Sequence, residues 1–156
     1  MTQRLRAVAV VSANSAGEIL ILKEFVGKPA LGKYEDMDSI PMETCHHGEH
    51  GVLALKRLHD EELTGLPFQG DPIYIGAYLI IPRVWVRLYA MSVEHVAPII
   101  GQTLEVGNHR WMPVKDALGL WLRRGAREMI EDYMAGRTKV IRRYCRDVPA
   151  IKPVRA

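Results

Sequence analysis

Apolar residues in this chain follow two patterns: short continuous runs, and stripes at three- and four-residue spacing. Ala7 to Ser12 (AVAVVS) and Glu18 to Glu24 (EILILKE) are β-prone runs joined by Asn14-Ser15-Ala16-Gly17, which predicts a hairpin. Both runs are apolar at successive positions, so both faces of each strand are expected to be covered. Gly27 to Ser39 is polar and carries Gly and Pro, the composition of a loop. From His50 to Leu63 the spacing changes. Val52, Ala54, Leu55 and Leu58 form an apolar stripe, and Thr64-Gly65 followed by Pro67 supplies a stop, which predicts a helix over 50–63.

Further along, Ile73 to Ile81 and Val84 to Met91 are rich in β-branched and aromatic residues. Pro82-Arg83 between them favours a tight antiparallel connection. His109 to Pro113 predicts another short strand. Val114 to Gly136 predicts one final amphipathic helix that buries Leu118, Leu122, Met129, Ile130 and Tyr133. The order strands, helix, strands, helix argues for an α/β arrangement with helices packed on a mixed sheet. The chain carries no internal repeat and no low-complexity block.

Composition adds little to this picture. A chain of 156 residues, 48% hydrophobic and 25% charged, has the size and make-up of one soluble globular domain. Its net charge of +3 is too small to point to nucleic acid as a partner. The basic excess is nevertheless concentrated. After Gly136 the chain carries Arg137, Lys139, Arg142, Arg143, Arg146, Lys152 and Arg155 against Asp147 alone. Residues 137–156 therefore read as a solvated basic tail behind a domain spanning 1–136. Cys45 and Cys145 are too few and too distant for a disulfide framework. The apolar stretch Ala7 to Val11 is shorter than a signal segment, which needs ~7–15 residues. No run approaches the ~18 apolar residues of a membrane span. The expected location is the cytoplasm.

The predicted helix ends in Asp60-Glu61-Glu62. Adjacent carboxylates offer the oxygen ligands that a hard divalent cation takes. The plainer reading is a solvated helix end, although acids at a helix C-terminus oppose its dipole and a cation would relieve that. Cys45-His46-His47 has zinc-type ligands without a second cluster at suitable spacing, so exposed or satisfied histidines are expected. Trp85 and Trp111 read as core or sheet-face residues able to line a nucleotide pocket. Lys23 and Lys33 could meet phosphates from the sheet end, with no motif behind them.

One spacing is distinctive. Glu49 is followed by seven residues and Arg57, then by Glu61-Glu62 and Gly65-Leu66. This resembles the signature of the Nudix (MutT-like) hydrolase family, G-x5-E-x7-R-E-U-x-E-E-x-G-U with U aliphatic. The opening AVAVVSANSAGEILILKE resembles that family's first strands. LEVGNHRWMPVKDAL resembles its Glu-then-Trp strand leading into the last helix. The resemblance implies an α/β/α sandwich with a mixed β-sheet between helices. It also implies hydrolysis of a pyrophosphate bond in a small nucleoside diphosphate derivative, dependent on Mg²⁺ or Mn²⁺. Arg57, Glu61, Glu62 and Glu105 would be the catalytic residues, with Glu61 and Glu62 as metal ligands, and a homodimer is compatible with it.

The signature is degenerate here. Aligned on Glu49 and Arg57, the opening glycine falls on Glu43, the glutamate after the arginine is Leu58, and the aliphatic position is His59. Aligned on the apolar stripe, Lys56, Arg57, Leu58, Asp60 and Glu61 take the box positions and Glu49 drops out. Aligned on Gly65-Leu66, only Glu62 of the paired acids remains. Every register lacks the first glutamate. The alternative is a catalytically inactive Nudix-like module that binds a nucleotide or another protein.

Overall fold

The computed structural model describes residues 5–63, 68–93 and 105–153. Strands β1 (Leu5–Ala13) and β2 (Glu18–Glu24) form the expected hairpin. Its turn follows from Asn14, whose side-chain oxygen accepts the N–H groups of Ala16 and Glu18, both at 3.0 Å. After a 3₁₀ turn at Pro29–Leu31 come two short strands, β3 (Asp38–Ser39) and β4 (Met42–Thr44). Helix α1 (Gly51–Glu62) fills the predicted span. The residues expected to stop it, Thr64 to Pro67, lie outside the described residues, as does Arg155.

Strands β5 (Phe68–Ile81) and β6 (Val84–Val93) run antiparallel around Pro82-Arg83. Strand β7 (Val106–Pro113) leads into α2 (Val114–Ala117), followed by α3 (Ala126–Met134) and β8 (Val140–Tyr144). The strands join into one sheet in the order β3-β2-β1-β6-β5-β8, with β4 also on β1 and β7 also on β2. The pairs β1/β6 and β5/β8 are parallel and the others antiparallel, so the sheet is mixed.

Each face of the sheet carries its own core. Val8, Val10, Leu20, Tyr89, Met91 and Val93 pack beneath Ala54, Leu55 and Leu58 of α1. Ala9, Val11, Ile19, Ile21, Val86 and Leu88 pack beneath Ala126, Met129 and Ile130 of α3. Successive residues of β1 serve opposite faces, which is why its sequence is apolar without alternation. The result is the expected α/β/α sandwich.

Three expectations change in detail. Ala54, Leu55 and Leu58 form the buried stripe of α1, whereas Val52 is exposed. At 3.6 residues per turn Val52 lies roughly a third of a turn away from that stripe.

The final helix is two helices. Between them the chain passes Asp38, whose N–H donates to the Trp121 carbonyl and whose carbonyl accepts the Arg123 N–H, both at 2.9 Å. Those bonds hold 121–123 extended, and Gly125, at φ 95°, restarts the helix. Leu122, Met129 and Ile130 are buried, while Leu118 and Tyr133 are only partly covered.

The basic segment after Gly136 is not a solvated tail. Part of it is β8, and its arginines answer acids buried under α3. Arg143 and Arg137 reach Asp132 at 2.8 and 2.7 Å, and Arg146 lies 3.5 Å from Glu128. Asp132, fully buried, also accepts the Tyr78 hydroxyl at 2.7 Å. A buried carboxylate requires such partners, and here the C-terminal arginines supply them.

Among the described residues no helix is long and apolar enough to cross a membrane. Cys45 and Cys145 are both free thiols.

Candidate functional site

The chain from Thr44 to Glu62 wraps around one side chain. Arg57 reaches back from α1 and donates from Nε and Nη2 to the two carboxylate oxygens of Glu49, at 3.3 and 3.0 Å. Its Nη2 also donates to the Thr44 carbonyl at 2.8 Å. Glu49 accepts the His46 N–H at 2.9 Å as well. The Arg57 hydrogen bonds, helped by that backbone donor, hold the Glu49 carboxyl far below its usual range, at about 2. Two further acids flank the guanidinium: Glu43 at 3.5 Å and Glu61, one turn along the helix, at 3.8 Å. Arg57 is thus the hub of three carboxylates.

The other predicted residues are more dispersed. Leu58 is completely buried in the core beneath α1. Glu61 is 56% exposed, with Arg57 as its neighbour, and Glu62 is the last residue of the helix. Glu105 precedes β7. Its carbonyl accepts the Phe25 N–H at 2.7 Å, and its carboxylate, 59% exposed, lies 4.0 Å from Lys28. Among the described residues no three of His, Cys, Asp and Glu converge as a metal site.

Lys33 is not placed to meet a phosphate. It is buried against Glu24 at 3.2 Å, and Arg123 closes on the same carboxylate at 3.1 Å. Lys23 lies 3.8 Å from Asp38, which Arg110 also holds at 2.6 Å. Burial raises the Cys45 thiol pKa above its ordinary value. Trp111 packs partly against the α1-side core.

Beyond the first turn of α1 lies an open cleft of about 840 Å³, lined by Arg6, the loop from Cys45 to Gly51, Trp85, Arg87 and Arg142. The arginines of this cleft carry no sequence motif. The available signal was parity: Trp85 and Arg87 alternate with the buried Val84, Val86 and Leu88. A second cavity, of about 900 Å³, lies between α3 and the C-terminal segment. Trp121 donates to the Pro149 carbonyl at 2.9 Å across its rim.

Solved structures share this fold. A NUDIX hydrolase from Nitrosomonas europaea superposes with a TM-score of 0.66 at 19% identity, over 88% of this chain and 93% of the other. The C-terminal domain of mouse MUTYH, solved with human PCNA, gives 0.64 at 14% identity, over 86% and 90%. This chain has the Nudix fold. The NUDIX domain of Shewanella oneidensis NrtR, solved in complex with ADP ribose, gives 0.60 at 13% identity, over 87% and 90%. No protein-family model matches the sequence, and no curated protein matches it. At these identities the likeness is one of fold, and fold alone does not determine activity.

Within this Nudix fold the acids that end α1 are of the right chemistry for a hard divalent cation. Mg²⁺ is usually held by one or two carboxylates, with waters and substrate phosphates completing its octahedron. Glu61 and Glu62 offer that number of carboxylates. Leu58, where the signature has its first glutamate, offers no oxygen at all.

Proposed function

We propose that this Nudix-fold chain is a pyrophosphohydrolase of small nucleoside diphosphate derivatives, working with Mg²⁺ or Mn²⁺ held by Glu61 and Glu62. The Glu49–Arg57 clasp carries this reading. It joins in space the two residues that the Nudix signature separates by seven, and in that register Glu61-Glu62 coincide with the signature's paired glutamates. Bound there, a divalent cation would polarise phosphate oxygens and lower the pKa of a bound water. Arg57 has a positioning role: it ties Glu61 to Glu43 of β4 and to Glu49 in the loop before α1. Glu105 is the candidate general base. The ADP ribose bound by the NrtR domain suggests the first substrate to try.

The test is turnover of the full chain, with Mg²⁺ or Mn²⁺, on ADP-ribose, dinucleoside polyphosphates, nucleotide sugars and nucleoside triphosphates. Phosphate release would be followed after a coupling phosphatase. Loss of turnover in Glu62→Gln is the expected result, and unchanged turnover would remove Glu62 from the mechanism. A base role for Glu105 implies a loss of about 100-fold or more in Glu105→Gln.

Leu58 favours a second reading. It stands where the signature has its first glutamate and is wholly committed to the core. On that reading the chain is a nucleotide-binding module, and nucleotides raise its thermal stability without being cleaved.

A further inference from the structure

We propose a second site, independent of any divalent cation, that binds a nucleoside phosphate on the open part of the sheet face in front of α1. It lies at the other end of the helix from Glu61. Ten residues at ~1.5 Å each separate Gly51 from Glu61, or about 15 Å, so this site does not depend on the hydrolytic reading.

The helix itself leaves this surface bare. Gly51, its first residue, is pressed against the sheet: a Cβ there would sit 2.9 Å from the Tyr89 hydroxyl and 3.7 Å from Cδ of Arg87. Helix α1 therefore covers β6 from Tyr89 onward and stops short of Trp85. On the uncovered strip β1 and β6 are parallel, with Arg6 opposite Trp85 and Val8 opposite Arg87. Opposed residues share a face, so Arg6, Trp85 and Arg87 lie on the same side as the core residues Val8 and Tyr89. Arg6 and Arg87 are about 8 Å apart at Cα on ordinary strand spacings. Ala77 of β5, opposite Arg87, adds a small floor. Arg142 of β8 lays its guanidinium over the Trp85 ring, 5.3 Å from the centroid.

The charges of this surface are uncompensated. No described carboxylate pairs with Arg6, Arg87 or Arg142, whereas Arg123, Arg137 and Arg143 each hold a buried acid. The acid in the cleft wall, Glu49, is already bonded to Arg57. Solvated arginines are common on surfaces, but these three surround an aromatic ring in a cleft of about 840 Å³. That volume lies within the ~300–1,000 Å³ of small-molecule sites.

Guanidinium forks grip phosphate oxygens in pairs, and an indole face accepts a planar base. Together they describe a mono- or dinucleotide. A long polyanion fits less well, because the loop from Cys45 to Gly51 bounds the cleft and the chain's net charge is only +3.

The experiment is calorimetric titration of the full chain in EDTA, with ADP, inorganic pyrophosphate and adenosine as probes. ADP is expected to bind. Arg6→Gln and Arg87→Gln are each expected to weaken ADP about tenfold or more. Both side chains are exposed, so these variants should fold, and an unchanged thermal melt would confirm it. Trp85→Leu should weaken ADP while leaving pyrophosphate binding in place. The proposal is overturned if millimolar ADP does not bind in EDTA, or if the two arginine variants bind as the parent does. It is equally overturned if a single-stranded oligonucleotide binds and ADP does not. Turnover assays with Mg²⁺ judge the hydrolytic reading separately, so the two can fail independently.

Discussion

Arg57 and Glu49, eight positions apart, are joined by two hydrogen bonds that engage both oxygens of the carboxylate. The pair fastens the loop before α1 to the helix itself, and its charge state sets an acid limit. The folded-state pKa of Glu49 is about 2, below its ordinary value near 4.5. A depressed carboxyl pKa stabilises the fold fully above the unfolded value, and that contribution disappears as pH falls through the folded one. Thermal melts should therefore separate the parent from Glu49→Gln by a constant margin between pH 5 and pH 7. The margin should shrink from about pH 4.5 downward and vanish near pH 2. A margin that does not change with pH would refute the clasp.

Leu58 should behave as core. It is completely buried beneath α1, so Leu58→Ala is expected to cost about 2–5 kcal/mol. Leu58→Met should cost less than about 1.5 kcal/mol. Leu58→Glu restores the signature residue but places a carboxylate in the apolar cluster, and should be less stable than Leu58→Ala. Urea denaturation orders the three. A Leu58→Glu variant as stable as the parent would mean that the position opens to solvent.

Asp132 ties α3 to the C-terminal strand through Arg143. It is fully buried and bonded to Tyr78, Arg137 and Arg143. Removing one partner of a buried ion pair typically costs about 3–5 kcal/mol, and Asp132→Ala should fall in that range. Tyr78→Phe, which removes one hydrogen bond, should cost about 1 kcal/mol. Chemical denaturation of the two variants checks the ranking.

A chain ended at Gly136 should lose cooperative unfolding. It would lack β8, leave the β5 edge unpaired, and leave Asp132 and Glu128 without their arginines. Limited proteolysis and a thermal melt would show it. A sharp melt at the full-length temperature would instead restore the dispensable-tail reading.

Gly125→Ala should destabilise by about 1–3 kcal/mol. The residue has φ 95°, and a Cβ there would meet Cγ2 of Ile80 at 2.5 Å. A melting temperature equal to the parent's would mean that the start of α3 can shift.

What the amino-acid order determined by itself is local. Asn14 and Gly17 built the first turn, Pro82-Arg83 the second, and the spacing of Ala54, Leu55 and Leu58 made the helix. In each case the deciding residues are within a few positions of one another, where backbone geometry converts spacing directly into shape. Glu49 and Arg57 were legible as a pair for the same reason: one loop and two helical turns bring them together.

Tertiary structure decided the rest. Only the parallel pairing of β1 with β6 sets Arg6 beside Trp85, and strand pairing uses backbone groups that every residue carries, so sequence does not announce the partner. The Asp38 backbone broke the last helix from β3, some eighty positions away. Arginines that look like a solvated tail are held in the fold because the acids they neutralise lie on α3, hidden in an ordinary amphipathic pattern. Charge counts along a chain do not reveal which charges will be buried together, and burial is what gives them their partners.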